Sequence, residues 1–145
     1  MTTQTLYEKD FNLWIERTIN QLKEGNLQDL DIKNLIEEID SMGRSDKREI
    51  YNRLKVLLMH LLKWKYQPQK RSQSWEFTID EQRDQIKLIL KDSPSLKPYF
   101  TENLADCYQD AIRKAVKETA LDKNVFPPQC PFTQEQILDV DYFPE

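Results

Sequence analysis

The segment Val56–Trp64 constrains the fold more than any other part of this chain, because it is apolar on nearly every side of a helix. Its only residues that are not apolar are His60 and Lys63. A helix that is apolar all round must be covered by other elements on all sides. We therefore predict that the helix containing this segment, over about Lys47–Tyr66, is the central helix of the protein. Pro68 ends it, because proline and the residue before it are poorly tolerated inside helices.

The rest of the chain also predicts helices, and no segment has the alternating pattern of a strand. Only 2 of the 145 residues are glycine, the residue that tight turns between strands most often need. Apolar residues recur at helical spacing over about 6–24, 32–40, 75–90 and 96–120. The predicted fold is all-α, a compact bundle of four to five helices in a single domain over residues 1–145.

The two helices before Lys47 are each predicted to bury one apolar stripe. The first stripe consists of Tyr7, Phe11, Trp14, Thr18 and Leu22. The second consists of Ile32, Leu35, Ile36 and Ile39. Gly25 is expected to close the first helix and Asp31 to cap the second. The pattern then stops at Ser41–Ser45, which is compatible with a kink or with a true break, because Gly43 costs about 1 kcal/mol in a helix interior.

Two later helices and a tail complete the predicted order. Ser72 or Ser74 is expected to cap the fourth helix, and Ser95 the fifth. From Leu121 the composition becomes rich in proline, so residues 121–145 are predicted to form an extended arm. A short terminal helix should begin at Thr133. The arm is expected to pack on the bundle because it carries the apolar residues Phe126, Phe132, Ile137, Tyr142 and Phe143.

The composition indicates a soluble cytoplasmic protein with no membrane partner. The longest near-apolar run, Val56–Leu62, is far shorter than the roughly 20 residues that a spanning helix needs. The N-terminus has neither the basic nor the apolar part of an export signal. Cys107, Cys130 and a single histidine are too few for a zinc site. We expect no metal and no cofactor.

The charge distribution identifies residues 50–75 as the place to look for a functional site. This segment carries six Lys and Arg, no acidic residue and four aromatic residues, whereas the remainder has 25 Asp and Glu against 15 Lys and Arg. Cations and ring faces together are typical of surfaces that bind phosphate or nucleic acid. The same residues also fit a structural role, in the core or at a helix end. The predicted binding residues are Arg53, His60, Lys63, Trp64, Lys70, Arg71, Trp75, Gln82 and Arg83.

His60 is the only imidazole, so any acid–base chemistry of a histidine depends on it. One interpretation is a buried, neutral ring that is hydrogen-bonded to a carboxylate or to the backbone. The other is a pH-sensitive group or a general acid or base. Glu38 would then orient the ring, if the second helix returns antiparallel to the third, and Arg71 and Arg83 would clamp an anionic substrate. The candidate catalytic residues are thus His60 and Glu38.

Several blocks of the chain follow the order and spacing of a known family. The most specific block runs from His60 to Trp75 and reads HLLKW, QP, RS and SW in turn. The other matching residues are Tyr7, Asp10, Phe11, Trp14, Asn34, Leu35, Glu37–Ile39, Gly43–Ser45, Arg53, Leu54, Leu57, Leu58, Ile79, Gln82, Arg83, Ser93–Leu96 and Phe126–Phe132. On these residues nearly the whole chain resembles the bacterial family of the domain of unknown function 29 (DUF29). The resemblance implies a small all-helical bacterial protein, and it does not imply any particular reaction.

Three functions are compatible with these residues. The leading hypothesis is a non-enzymatic binding module that uses the basic and aromatic surface around residues 60–75. Its partner would be a protein, or a nucleic acid bound through residues 63–71. The first alternative is a hydrolase acting on an anionic or phosphorylated substrate, with His60 as acid or base. The second is a regulatory partner of another protein, because helical faces commonly serve as docking surfaces.

Overall fold

A computed structural model of the protein describes residues 3–145, with side chains from Leu6 onward. The α-helices are α1 (Thr3–Lys9), α2 (Phe11–Lys23), α3 (Ile32–Tyr66), α4 (Gln73–Asp92), α5 (Lys97–Thr119) and α6 (Gln134–Leu138). Single 3-10 turns occur at Pro68–Lys70, Pro94–Leu96 and Lys123–Val125. No strand occurs between residues 3 and 145, so the all-α prediction is confirmed. The chain divides into two compact units, the N-terminal unit (Met1–Ser45) and the C-terminal unit (Asp46–Glu145).

The first predicted helix is two helices in the N-terminal unit, α1 and α2, which are separated at Asp10. The carboxylate of Asp10 accepts a hydrogen bond from the Leu13 N–H at 3.1 Å. Aspartate is common at this capping position because its carboxylate accepts a hydrogen bond from an N–H group that has no partner inside the helix. Gly25 has φ of +72° just beyond α2, which confirms its predicted place at the end of the helix.

The apolar stripes of the N-terminal unit are only partly buried. Trp14 and Thr18 of α2 are buried as predicted, but Phe11 is 45% exposed. In α3 the prediction of a buried stripe is wrong, because Ile32 and Ile36 are 53% and 62% exposed. Helical spacing identifies an apolar face but does not say which element covers it.

Helix α3 runs without interruption from Ile32 to Tyr66. The second and third predicted helices are therefore one helix, and neither a break nor an antiparallel return occurs at Gly43. The guanidinium of Arg44 binds the carboxylates of Asp40 and, at 3.2 Å, Glu37. These bonds join successive turns of the helix around the glycine and favour its continuation.

The core of the C-terminal unit surrounds the second half of α3, which confirms the prediction of a buried central helix. Leu57, Leu58, Leu61 and Leu62 are each 0% exposed. The residues packed around them come from α4, α5 and the tail, and include Ile79, Ile86, Phe100, Cys107, Ala111, Phe126, Phe132 and Ile137. The last three of these residues belong to the proline-rich tail.

Most of the predicted capping residues of the C-terminal unit do cap their helices. The Ser72 hydroxyl accepts from the Trp75 N–H at 3.2 Å and caps α4. Thr133 and Gln136 form the predicted capping box of α6. The prediction of Ser95 as a cap is wrong, because the 3-10 turn Pro94–Leu96 leads directly into α5 and no side chain caps that helix.

Candidate functional site

The end of α3 meets the C-terminal tail at a cluster of two arginines and two rings, Arg71, Trp64, Phe143 and Arg83. The guanidinium carbon of Arg71 lies 5.1 Å from the centroid of the Trp64 ring. The Trp64 and Phe143 centroids are 4.9 Å apart, and the Arg83 guanidinium lies 5.5 Å from Phe143. Cations over ring faces are attracted by the negative face of the ring. We call these four residues the arginine–aromatic cluster.

Arg71 connects the linker after α3 to the end of the chain. Its Nε donates to the Trp64 carbonyl oxygen at 2.8 Å, and its Nη2 donates to the Pro144 carbonyl oxygen at 3.1 Å. Pro144 itself is buried. Arg71 is therefore half-buried and holds the tail against α3.

Arg83 lies in the interior of the unit and is 0% exposed. Its Nε donates to the carbonyl of Ile137 at 2.8 Å and its Nη2 to that of Gln136 at 3.1 Å. The last carbonyls of a helix have no partner inside the helix, so Arg83 fixes the end of α6. Burial lowers the pKa of Arg83, and the carboxylates of Asp139 and Asp80 oppose this effect.

Lys63 is also buried, although it is a cation of the predicted surface. Its ammonium lies 4.7 Å from the centroid of the Trp75 ring and 3.4 Å from a carboxylate oxygen of Glu118. Only 7% of its side chain is exposed. Lys63 and Trp75 therefore pack on each other at the junction of α3 and α4. Lys70 is the exposed cation nearest to them in sequence.

His60 is half-buried, and its Nδ1 lies 2.8 Å from the carbonyl oxygen of Val56 one turn earlier. In the neutral ring this contact places the proton on Nδ1 and leaves Nε2 as an acceptor. Burial lowers the pKa of His60, and the hydrogen bond to the Val56 carbonyl opposes this decrease. The charge of Lys63 lowers the pKa further, and that of Glu118 raises it. The backbone therefore holds the ring through Nδ1.

Glu38, the predicted partner of His60, is bound elsewhere. It belongs to the N-terminal unit, where the Tyr7 hydroxyl donates to its carboxylate. This hydrogen bond raises the pKa of Tyr7 to about 12. Because α3 is continuous, the antiparallel return that would have brought Glu38 beside His60 does not form.

Arg53 and Gln82 are brought together, as neighbours across α3 and α4. Nη1 of Arg53 donates to the amide oxygen of Gln82 at 3.2 Å, and Nε donates to Glu49 at 2.9 Å. The oxygen of the half-buried Gln82 amide therefore has its partner on α3. Arg83, two of whose neighbours in the buried stripe are Ile79 and Ile86, could have been recognised as interior from its spacing alone.

The thiols of the C-terminal unit are both protonated at neutral pH. Burial raises the pKa of Cys107 to about 12, and it raises the pKa of Cys130. A thiol that is not ionised is a poor nucleophile. Among the described residues no group of three or more His, Cys, Asp and Glu could hold a metal ion.

An open groove lies between the start of α4 and the tail. It has a volume of about 430 Å³ and is lined by Gln73, Glu76, Phe77, Asp80, Val140 and Phe143. Phe77 is 68% exposed and Val140 is 40% exposed. Through Phe143 this α4–tail groove adjoins the arginine–aromatic cluster.

Comparison with known proteins identifies a family and no individual relative. No curated protein and no solved structure matches the chain. No helix between residues 3 and 145 is long and apolar enough to cross a membrane. Residues 6–143, which include the arginine–aromatic cluster and the lining of the α4–tail groove, match the family model for the domain of unknown function DUF29. The chain therefore belongs to the DUF29 family.

Proposed function

We propose that this protein is a non-enzymatic interaction module that binds a protein partner in the α4–tail groove. The observation that carries the proposal is the exposed apolar surface of this groove, where Phe77 is 68% exposed beside Phe143. A large aromatic side chain at a concave surface is typical of the centre of a protein interface. A partner side chain that enters the groove would cover both rings.

The charges around the groove favour a protein over a nucleic acid. Glu76 and Asp80 line it on the α4 side, where their carboxylates would repel phosphate groups. Lys70 and Arg71 lie in the linker just before α4. A peptide segment with an apolar anchor and charges of both signs fits this arrangement.

The predicted binding residues then act mainly as supports for the groove. Trp64, Arg71 and Arg83 hold the tail, which forms one wall, through ring contacts and through bonds to backbone carbonyls. Lys70 is exposed and available to a partner. The hydrolase alternative has less support, because the two arginines of its anion clamp are already bonded to backbone carbonyls of the tail and α6.

Selection of random displayed peptides on the full-length protein tests this proposal. We expect the selected peptides to carry an apolar anchor, and Phe77→Lys to raise their Kd about tenfold or more. Leu88→Lys is the matched control, because Leu88 is an exposed residue of α4 outside the groove. Circular dichroism checks that both variants keep their helices.

Binding of a short single-stranded oligonucleotide forms the second arm of the test. We expect the oligonucleotide not to bind. Peptides that bind Phe77→Lys as tightly as the unchanged protein would contradict the groove. Salt-dependent oligonucleotide binding that Lys70→Glu abolishes would favour the nucleic-acid alternative instead.

A further inference from the structure

The N-terminal unit exposes large apolar side chains along two of its helices. In α2 they are Phe11, Ile15, Ile19 and Leu22, and in α3 they are Ile32, Ile36, Ile39 and Met42. Their exposed fractions lie between 36% and 66%. Each set recurs every three or four residues and therefore forms one stripe along its helix. We call the two stripes together the N-terminal apolar face.

The two stripes lie on the same side of the helix pair. The Trp14 indole donates to Asp31 at 3.2 Å, and the Tyr7 hydroxyl donates to Glu38. The earlier residue, Tyr7, thus pairs with the later residue of α3, Glu38. The helices therefore run antiparallel. In both helices the exposed stripe is rotated by roughly 100°, in the same sense, from the residues that face the other helix. In an antiparallel pair, equal rotations of this kind bring both stripes to one surface.

The size of the N-terminal apolar face matches what a stable dimer needs. A fully exposed side chain of this kind carries on the order of 100 Å² of apolar surface. Because the eight residues are about half exposed, the face offers roughly 400 Å² per copy, and Leu27, which is 62% exposed in the connection, lies near it in sequence. A standard interface contains about 500 Å² of apolar surface per partner.

The charges beside the stripes allow a copy of the same face to approach. By helical position, Glu16 and Lys23 flank the α2 stripe, and Lys33 and Asp40 flank the α3 stripe. Each helix therefore carries both signs at the border, although the whole chain has a net charge of −4. A border with both signs on each helix can pair with itself about a two-fold axis.

We infer that the N-terminal apolar face binds a second copy of this chain. The two antiparallel helix pairs stack face to face, and their stripes form the core of an intermolecular four-helix bundle. This association uses the N-terminal unit alone and does not depend on the α4–tail groove.

Sedimentation equilibrium of the full-length protein, over about 1 to 200 µM, tests the inference. We expect the unchanged chain to be a dimer at the upper concentrations. The double variant Ile19→Glu, Ile36→Glu should raise the dimer Kd by about 100-fold or more, because each substitution occurs twice in a two-fold interface. Leu88→Glu, an exposed residue of α4 in the other unit, is the matched control and should leave the dimer intact.

Dilution of isotope-labelled protein, followed by NMR, provides a measurement that needs no variant. Chemical shifts should change along Phe11–Leu22 and Ile32–Met42, and remain constant in α4 and α5. A protein that is monomeric throughout would overturn the inference. So would a dimer that persists in the double variant, a dimer that Leu88→Glu dissociates, or shift changes confined to the C-terminal unit.

Discussion

Burial determines which ionisable side chains of this protein can take part in chemistry. Cys107 has a pKa raised to about 12, and Arg83 is enclosed and bonded to the end of α6. Both groups are therefore structural. His60 is different, because its ring is half-buried and only Nδ1 is bonded to the backbone. It is the residue whose protonation should be visible in solution.

We expect His60 to titrate below its ordinary pKa of 6.5, because burial disfavours the charged ring. The unfolded chain would bind this proton first as the pH falls. The stability that the neutral ring supports is therefore complete above about pH 6.5, and it is lost as the pH falls through the lower pKa of the folded state. His60 is the only histidine, so its ring resonances in an NMR titration report it directly.

The control for this titration is the variant His60→Gln. Between about pH 7 and pH 5, the free energy of unfolding, measured with urea, should fall less in the variant than in the unchanged protein. A titration midpoint at or above 6.5, or an identical loss of stability in the variant, would contradict the effect of burial.

At the scale of single elements, the two glycines have opposite roles. Gly43 lies inside α3, and Gly25 follows α2 with φ of +72°. A β-carbon added at either position would contact nothing within 4 Å. Any difference between substitutions at the two positions therefore comes from the backbone alone.

We expect Gly43→Ala to raise the free energy of unfolding by about 0.5–1 kcal/mol, because alanine loses less conformational entropy in a helix. Gly25→Ala should lower it by about 1 kcal/mol, because a side chain is strained at positive φ. Urea denaturation followed by circular dichroism measures both changes. Changes of the same sign in the two variants would contradict either the helical backbone at Gly43 or the positive φ at Gly25.

At the scale of the whole molecule, the two units have unequal cores. The fully covered apolar side chains of the N-terminal unit are Leu6 and Trp14, among those described. The C-terminal unit buries 18 residues in one cluster around the second half of α3. Since burial of apolar surface is the main stabilising contribution, the units should differ in stability.

Hydrogen exchange on dilute protein should detect this difference. We expect the amides of α2 to open with a free energy lower by about 2 kcal/mol or more than those of residues 54–62. Dilution is needed because self-association would protect α2. Equal protection throughout the chain would contradict the expectation and would favour the single cooperative domain that the sequence predicts over residues 1–145.

The amino-acid sequence by itself determined the all-α class, the burial of Leu57, Leu58, Leu61 and Leu62, and the capping box at Thr133. These features depend on local propensity and on the spacing of apolar residues, which are present in any short window of the chain. Of the predicted binding residues, Trp64, Arg71 and Arg83 meet at one cluster. Their function there could not be read from spacing, because none of the three was expected to hold the tail.

Only the tertiary structure decided which apolar stripes are covered, and which charged side chains are used internally. Arg71 binds a carbonyl 73 residues away and Arg83 binds one 54 residues away, and helical periodicity contains no information about such partners. The stripe of Ile32, Ile36 and Ile39 has the spacing of a buried face, yet it is exposed, and no element among the described residues of the N-terminal unit covers it. Periodicity is a property of one helix, whereas burial is a property of its neighbours.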